Sequence, residues 1–137
     1  MLQDILLAAD GSDHSVRAAE KVVEMTGGNG TVEVVYVIDS SSSKHDVLHH
    51  QSQEEIEQER RQRMKRVEDV FANTSLSVEV FFLHGEPGPT IVEFANRRPY
   101  DCVVIGSRGL NKLQSMVLGS VSHKVAKRVQ WPVLIIK

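Results

Sequence analysis

From Leu2 to Ala9 the chain is apolar at almost every position, interrupted only by Gln3 and Asp4. An unbroken run of this kind suits a strand covered on both faces, as the strands of a parallel sheet are. Asp10-Gly11-Ser12-Asp13 ends it with turn residues, and Ser12 is placed to cap a helix. Val16, Ala19, Val23 and Thr26 then recur at helical spacing until Gly27-Gly28 stops the pattern. The valine-rich stretch from Thr31 to Ile38 reads as a second strand, so a parallel crossover unit is predicted.

Asp39 to Gln53 carries no period. Four serines, Ser40 to Ser43, precede Lys44, His45, Asp46, His49 and His50, and a surface loop is expected. From about Glu54 the pattern turns helical, with Ile56, Arg60, Met64, Val67 and Phe71 on one stripe. Glu54, Glu55, Glu57 and Glu59 lead, and Arg60, Arg61, Arg63, Lys65 and Arg66 follow. That order complements the helix dipole and allows i,i+4 Glu-to-Arg pairs, so the charge run reads as a solvated face. Leu76 to Leu83 is a third strand, followed by the turn His84-Gly85-Glu86-Pro87-Gly88-Pro89. Pro89 is expected at the first position of a helix with Ile91, Phe94 and Ala95 on its apolar face, ending before Pro99. Asp101 to Ile105 is a fourth strand running into Gly106. A helix over about 120–129 and a fifth strand, Val133 to Ile136, close the chain; Pro132 at the strand's start is tolerable if the strand is at an edge. The alternation predicts an α/β fold, a doubly wound sandwich with helices on both faces, as one domain over residues 1–137.

Composition narrows the function without naming it. Sixteen basic residues against eighteen acidic ones leave a formal charge of −2, and a protein that holds nucleic acid through its phosphates is usually more basic. The single cysteine, Cys102, lies in an apolar strand and reads as core. No apolar run approaches the ~20 residues of a membrane span, and Met1-Leu2-Gln3-Asp4 has no basic leader region. A cytoplasmic protein with neither nucleic-acid nor membrane partners is expected.

In a doubly wound sheet, ligands sit beyond the carboxyl ends of the strands, where neighbouring connections leave in opposite directions. That directs attention to Asp10-Gly11, to Val37-Ile38-Asp39 and to Gly106-Ser107-Arg108-Gly109. The last group continues to Gly119-Ser120 as G-x2-G-x9-G-S, between a buried strand and a helix. Gly106 and Gly109 are expected to bare backbone amides as a phosphate nest. Gly119 would open a helix whose positive end favours phosphate, with the Ser120 hydroxyl, Arg108 and Lys112 at hand. Neither G-x-G-x-x-G nor G-x-x-x-x-G-K-[ST] occurs where a dinucleotide fold or a P-loop would need it. His45 and His49 have a metal-like i,i+4 spacing, but nothing makes their serine-rich stretch a helix. His14, His84 and His123 are expected at the surface, Trp131 in packing, and neither Ser107 nor Ser120 has a neighbouring histidine to activate it.

Over its whole length the chain resembles the universal stress protein family in its ATP-binding branch. The resemblance rests on Leu6-Leu7-Ala8-Ala9-Asp10-Gly11-Ser12, Tyr36-Val37-Ile38-Asp39, Val104-Ile105-Gly106-Ser107-Arg108-Gly109, Leu118-Gly119-Ser120-Val121-Ser122 and Pro132 to Ile136. It implies a five-stranded parallel sheet of order 3-2-1-4-5, a homodimer, and bound ATP (or AMP or a related adenine nucleotide), with Mg or Mn near the phosphates. By position, Asp10 would lie near phosphates and metal, and Ala8 and Ala9 would line the base and ribose pocket. Val37 would hold adenine through its backbone N–H and C=O. Ile105, Gly106, Arg108, Gly109, Gly119, Ser120, Val121 and Ser122 would surround the rest of the nucleotide. An apolar edge strand Val133 to Ile136 invites pairing with a second copy, which matches the implied dimer. The expected function is regulatory, with nucleotide state ordering residues 110–118 and 39–53 and altering the surface shown to as yet unknown protein partners. A slow ATPase or nucleotide-transferring enzyme, and a nucleotide-independent scaffold, are the alternatives.

Overall fold

A computed structural model describes residues 2–38, 52–107 and 119–137. Strand β1 (Asp4–Ala8) leads to helix α1 (Asp13–Thr26) and strand β2 (Asn29–Ile38). Helix α2 (Gln53–Phe71), strand β3 (Ser75–His84) and helix α3 (Pro87–Asn96) follow. Strand β4 (Cys102–Gly106), helix α4 (Ser120–Arg128) and strand β5 (Val133–Ile136) complete the order. All four strand pairings are parallel, and the sheet runs β3-β2-β1-β4-β5. Both the fold class and the strand order inferred from the resemblance are therefore present.

Period-two alternation divides the core. Ile5, Leu7, Ala9, Val32, Val34, Tyr36 and Val104 face α1 and α2, meeting Ala18, Ala19, Val22, Met64, Val67 and Phe71. Leu6, Ala8, Val35, Val103 and Ile105 face α3 and α4, meeting Ile91, Ala95, Val125 and Val129. Burial on both sides explains why β1 and β4 read as continuous apolar runs.

Helix ends follow the local chemistry. Ser12 caps α1, its hydroxyl accepting from the Ser15 amide, and Gly27 closes the helix at φ 67°. The buried stripe of α1 is Ser15, Ala18, Ala19, Val22 and Thr26, with Val16 and Val23 at its margins, so the face is turned slightly from the predicted one. Helix α3 starts at Pro87, two residues before Pro89, because the extended Glu86 serves as its cap position and both prolines fit a first turn. Glu59 and Arg63 form one of the expected i,i+4 pairs at 3.5 Å. Trp131 packs as expected, its indole N–H donating to the Ala95 carbonyl at 2.8 Å.

At the end of the sheet away from the strands' carboxyl termini, Glu33 is buried among cations. Its Oε2 accepts from the Tyr100 hydroxyl at 2.7 Å and from Arg98 at 2.9 Å, while Arg97 approaches Oε1 at 3.2 Å. Arg98 also reaches both Asp4 oxygens, and the Asp101 carboxylate accepts from the amides of Gln3 and Asp4. Burial raises the Glu33 carboxyl, but Tyr100, Arg98 and Arg97 outweigh it and hold the group below its ordinary value. Burial together with Glu33 pushes the Tyr100 phenol up. This network ties the α3–β4 connection to β1 and β2.

Candidate functional site

Helices α1 and α2 cover one face and α3 and α4 the other, so the chain leaves β1 and β4, adjacent strands, in opposite directions. The crevice a doubly wound sheet offers a ligand lies between their carboxyl ends. It is bounded by Asp10, Gly11 and the start of α1, by the end of β2, and by Gly106, Ser107 and the start of α4.

The β2 wall carries the most specific feature. Thr31 donates its amide to the Gln3 carbonyl at 2.7 Å, and Val35 accepts from the Ala9 amide at 3.0 Å. Odd-numbered residues of this part of β2 therefore turn their backbone polar groups toward β1. Ile38, by contrast, accepts from Gly85 beyond β3 at 3.1 Å. Pairing with β1 ends at Ala8 opposite Val35, whereas pairing with β3 continues to Ile38 opposite His84. Val37 thus directs an N–H and a C=O past the end of β1, with no strand residue opposite.

Asp10 is held by α1. Its Oδ1 accepts from the Ser12 amide at 2.9 Å and from the Ser15 hydroxyl at 2.8 Å, and its own amide donates to that hydroxyl at 2.8 Å. The carboxylate therefore serves the helix start, as a local reading of Asp-x-Ser allows, while standing at the crevice. Gly11 follows at φ 79°, where a methyl group would collide with Arg63 Cβ of α2. Ala8 and Ala9 are buried on opposite faces beneath this turn.

On the β4 side, Ile105 and Gly106 are buried and pair with Ile135 and Ile136. Ser107, 3% exposed, gathers four elements. Its amide donates to Ile136 at 2.7 Å, and its carbonyl accepts from the Gly119 amide at 2.7 Å and the Ser122 hydroxyl at 3.0 Å. Its Oγ lies 3.5 Å from His14 Nδ1 in the first turn of α1. The amides of Ser107 and Gly119 are thus satisfied by protein, and Gly109 of the expected nest lies outside the described residues. The Ser122 hydroxyl is likewise turned inward, donating to Ser107 and Gly119. The first amides of α4, at Ser120, Val121 and Ser122, stand at the positive end of that helix and are candidate anion donors. Its cap residue, Gly119, makes no side-chain capping bond. Ser120 is exposed and Val121 half-buried.

Arg108, Gly109 and Lys112 lie outside the described residues, as do His45 and His49. Two expectations require correction. His14 is half-buried rather than at the surface, and Ser107 does have a histidine beside it. The two are 93 residues apart, so no local spacing could announce the pair. Ser15 was also missed, although a serine three residues after a helix cap is a readable hint. No group of three or more His, Cys, Asp or Glu that could hold a metal occurs among the described residues. Burial raises the Cys102 thiol, in keeping with a core residue. No helix among the described residues is long and apolar enough to cross a membrane.

An open α/β sheet with a crevice at its topological switch point defines the doubly wound class of fold, whose ligands lie outside the carboxyl ends of the strands. The whole chain, residues 1–137, matches the universal stress protein family, and the protein belongs to it. A universal stress protein of Thermus aquaticus is 33% identical over 139 residues, each chain covered in full. Universal stress protein YxiE of Bacillus subtilis is 28% identical over 148 residues, again covering both chains fully. The solved structure of MJ0577, a universal stress protein of Methanocaldococcus jannaschii, superimposes with a TM-score of 0.83 at 24% identity, covering 100% of this chain and 97% of its own. The Archaeoglobus fulgidus universal stress protein in complex with dAMP gives 0.68 at 22% identity and covers all of both chains. A family member from Arabidopsis thaliana with AMP bound gives 0.66 at 21%, covering 98% of this chain and 91% of its own.

Proposed function

We propose that this protein binds an adenine nucleotide, with ATP as its ligand, and acts as a stress-response regulator rather than as an efficient enzyme. The observation that carries the reading is the backbone pair of Val37 beyond the end of β1. Adenine offers an acceptor at N1 beside a donor at N6, which matches one N–H and one C=O; guanine presents the reverse at that edge. From β2 across β1 to β4 is two strand spacings, roughly 10 Å. That span suits an adenosine lying across the end of β1, with its base at Val37 and its 5′ oxygen at the start of α4. Phosphates there would meet the amides of Ser120, Val121 and Ser122. Relatives of the same fold hold dAMP and AMP, which supports the adenine part of the reading. Mg or Mn would be held chiefly by phosphate oxygens with Asp10 nearby, as Mg usually is in nucleotide sites.

Catalysis is less well provided for. Asp10 is engaged with Ser12 and Ser15, and the His14 ring with Ser107, so both candidate bases at the crevice already hold protein partners. The regulatory output is assigned to the surface around the crevice, whose shape changes with the nucleotide, and to the β5 edge, where a second copy pairs. Mass spectrometry of ligand released from gently purified protein, followed by calorimetric titration with ATP, tests the reading. An adenine nucleotide in the first experiment or saturable binding in the second is the expected result. Gly119→Val should abolish binding while leaving the fold intact, since Gly119 has φ −68° and ψ 158°, which valine adopts readily. Unimpaired ATP binding by that variant would dismiss the site.

A further inference from the structure

His14 and Ser107 form a side-chain pair across the crevice that the site as described does not use. His14 comes from α1 on one face of the sheet; Ser107 ends β4 and holds the start of α4, which packs on the other face. The pair therefore stands where the first turns of two helices converge from opposite sides. Ser107 is buried and its amide and carbonyl are already bonded, so its hydroxyl is the one group it turns toward α1.

The two nitrogens of an imidazole are not equivalent, and the partner of one sets the state of the other. The Ser107 hydroxyl occupies Nδ1, so Nε2 is the ring nitrogen left for a ligand, on a half-buried side chain in the first turn of α1. If the adenosine spans from Val37 to α4, its polyphosphate leaves the 5′ oxygen beside Ser107 and passes this ring. The amides of α4 approach it from one side, and the start of α1, with the Asp10 carboxylate beside it, stands on the other.

We propose that His14 is a phosphate-contacting residue of the nucleotide site, that Ser107 positions it, and that together they favour a polyphosphate over the bare nucleoside. This rests on the adenine-nucleotide reading above. The ligand class is an adenine nucleotide with at least two phosphates, and the contact is an imidazole N–H donating to a phosphate oxygen.

Calorimetric titration of the whole chain with adenosine, AMP, ADP and ATP tests it. His14→Phe keeps a flat ring and deletes both nitrogens. It should weaken ATP and ADP about tenfold while adenosine changes less than twofold. Ser107→Ala should weaken ATP several-fold, and the double variant should be no worse than His14→Phe alone, as expected for one coupled unit. An unchanged ratio of ATP to adenosine affinity in His14→Phe overturns the proposal, as does full additivity of the two changes. If circular dichroism shows His14→Phe unfolded, Ser107→Ala decides alone: selective loss of ATP affinity supports the pair, and none rejects it. Wild-type protein that binds neither adenosine nor ATP would instead remove the nucleotide reading itself, a distinct result.

Discussion

The Ala9 amide donates to the Val35 carbonyl at 3.0 Å, the last rung between β1 and β2, and two residues later Val37 has passed beyond its neighbour strand. A strand that outruns its partner leaves a donor and an acceptor aimed at the switch point. In the adenine-nucleotide reading proposed above, those two groups would select the base edge that fits.

Base selectivity is the direct consequence. ATP should bind at least about tenfold more tightly than GTP, since a reversed edge leaves both Val37 groups unmatched at about 1–3 kcal/mol each. Competition titration with the two nucleotides measures this, and equal affinities would refute backbone readout at Val37.

The β5 edge yields a second expectation. Pro132 and Ile136 direct their carbonyls to β4, so by alternation Val133 and Ile135 direct their backbone groups outward. Ile135→Pro removes an outward N–H and leaves the inward ladder intact. Sedimentation velocity should show wild-type dimers and a largely monomeric variant; a variant as dimeric as wild type would rule out edge-to-edge pairing.

Glu33 makes stability depend on acid. Its folded value lies below the ordinary 4.5, so the ionised network stabilises the fold above that pH and the contribution is lost as pH falls through the lower folded value. Glu33→Gln should cost about 1–3 kcal/mol at pH 7, and the gap from wild type should narrow well below pH 4.5. Urea denaturation at both pH values gives the comparison. A gap independent of pH would show that the charge of Glu33 is not what matters.

Two glycines separate backbone strain from collision. Gly27 has φ 67° and open space within 4 Å of where a methyl group would sit, whereas Gly11 has φ 79° and Arg63 in the way. Gly27→Ala should cost about 1–2 kcal/mol, the left-handed penalty alone. Gly11→Ala should cost clearly more, because α2 must also shift. Thermal melts of the two variants rank them, and equal losses would mean α2 yields freely there.

Much of the fold was legible in the chain. Continuous apolar runs at Leu6–Ala9 and Val103–Ile105 announced strands covered on both faces, and Ser12 and Gly27 marked the ends of α1 because capping chemistry is local. Asp10 and Val37 could be singled out because a parallel sheet places its ligand at strand ends, and Gly119 because the G-x2-G-x9-G-S spacing leads from a strand into a helix. The start of α3 was less legible, since either Pro87 or Pro89 fits a first helical turn.

Hydrophobic period and caps act over a few residues, so order along the chain sufficed to specify elements and their alternation. Which amides remain open is a different kind of fact. Ser107 and Gly119 lose theirs to the carbonyls of Ile136 and Ser107, and His14 meets Ser107 across 93 residues, because the sheet brings β4, β5, α1 and α4 to one point. Hydrogen-bond partnership at that point depends on distance in space, which spacing along a chain does not encode.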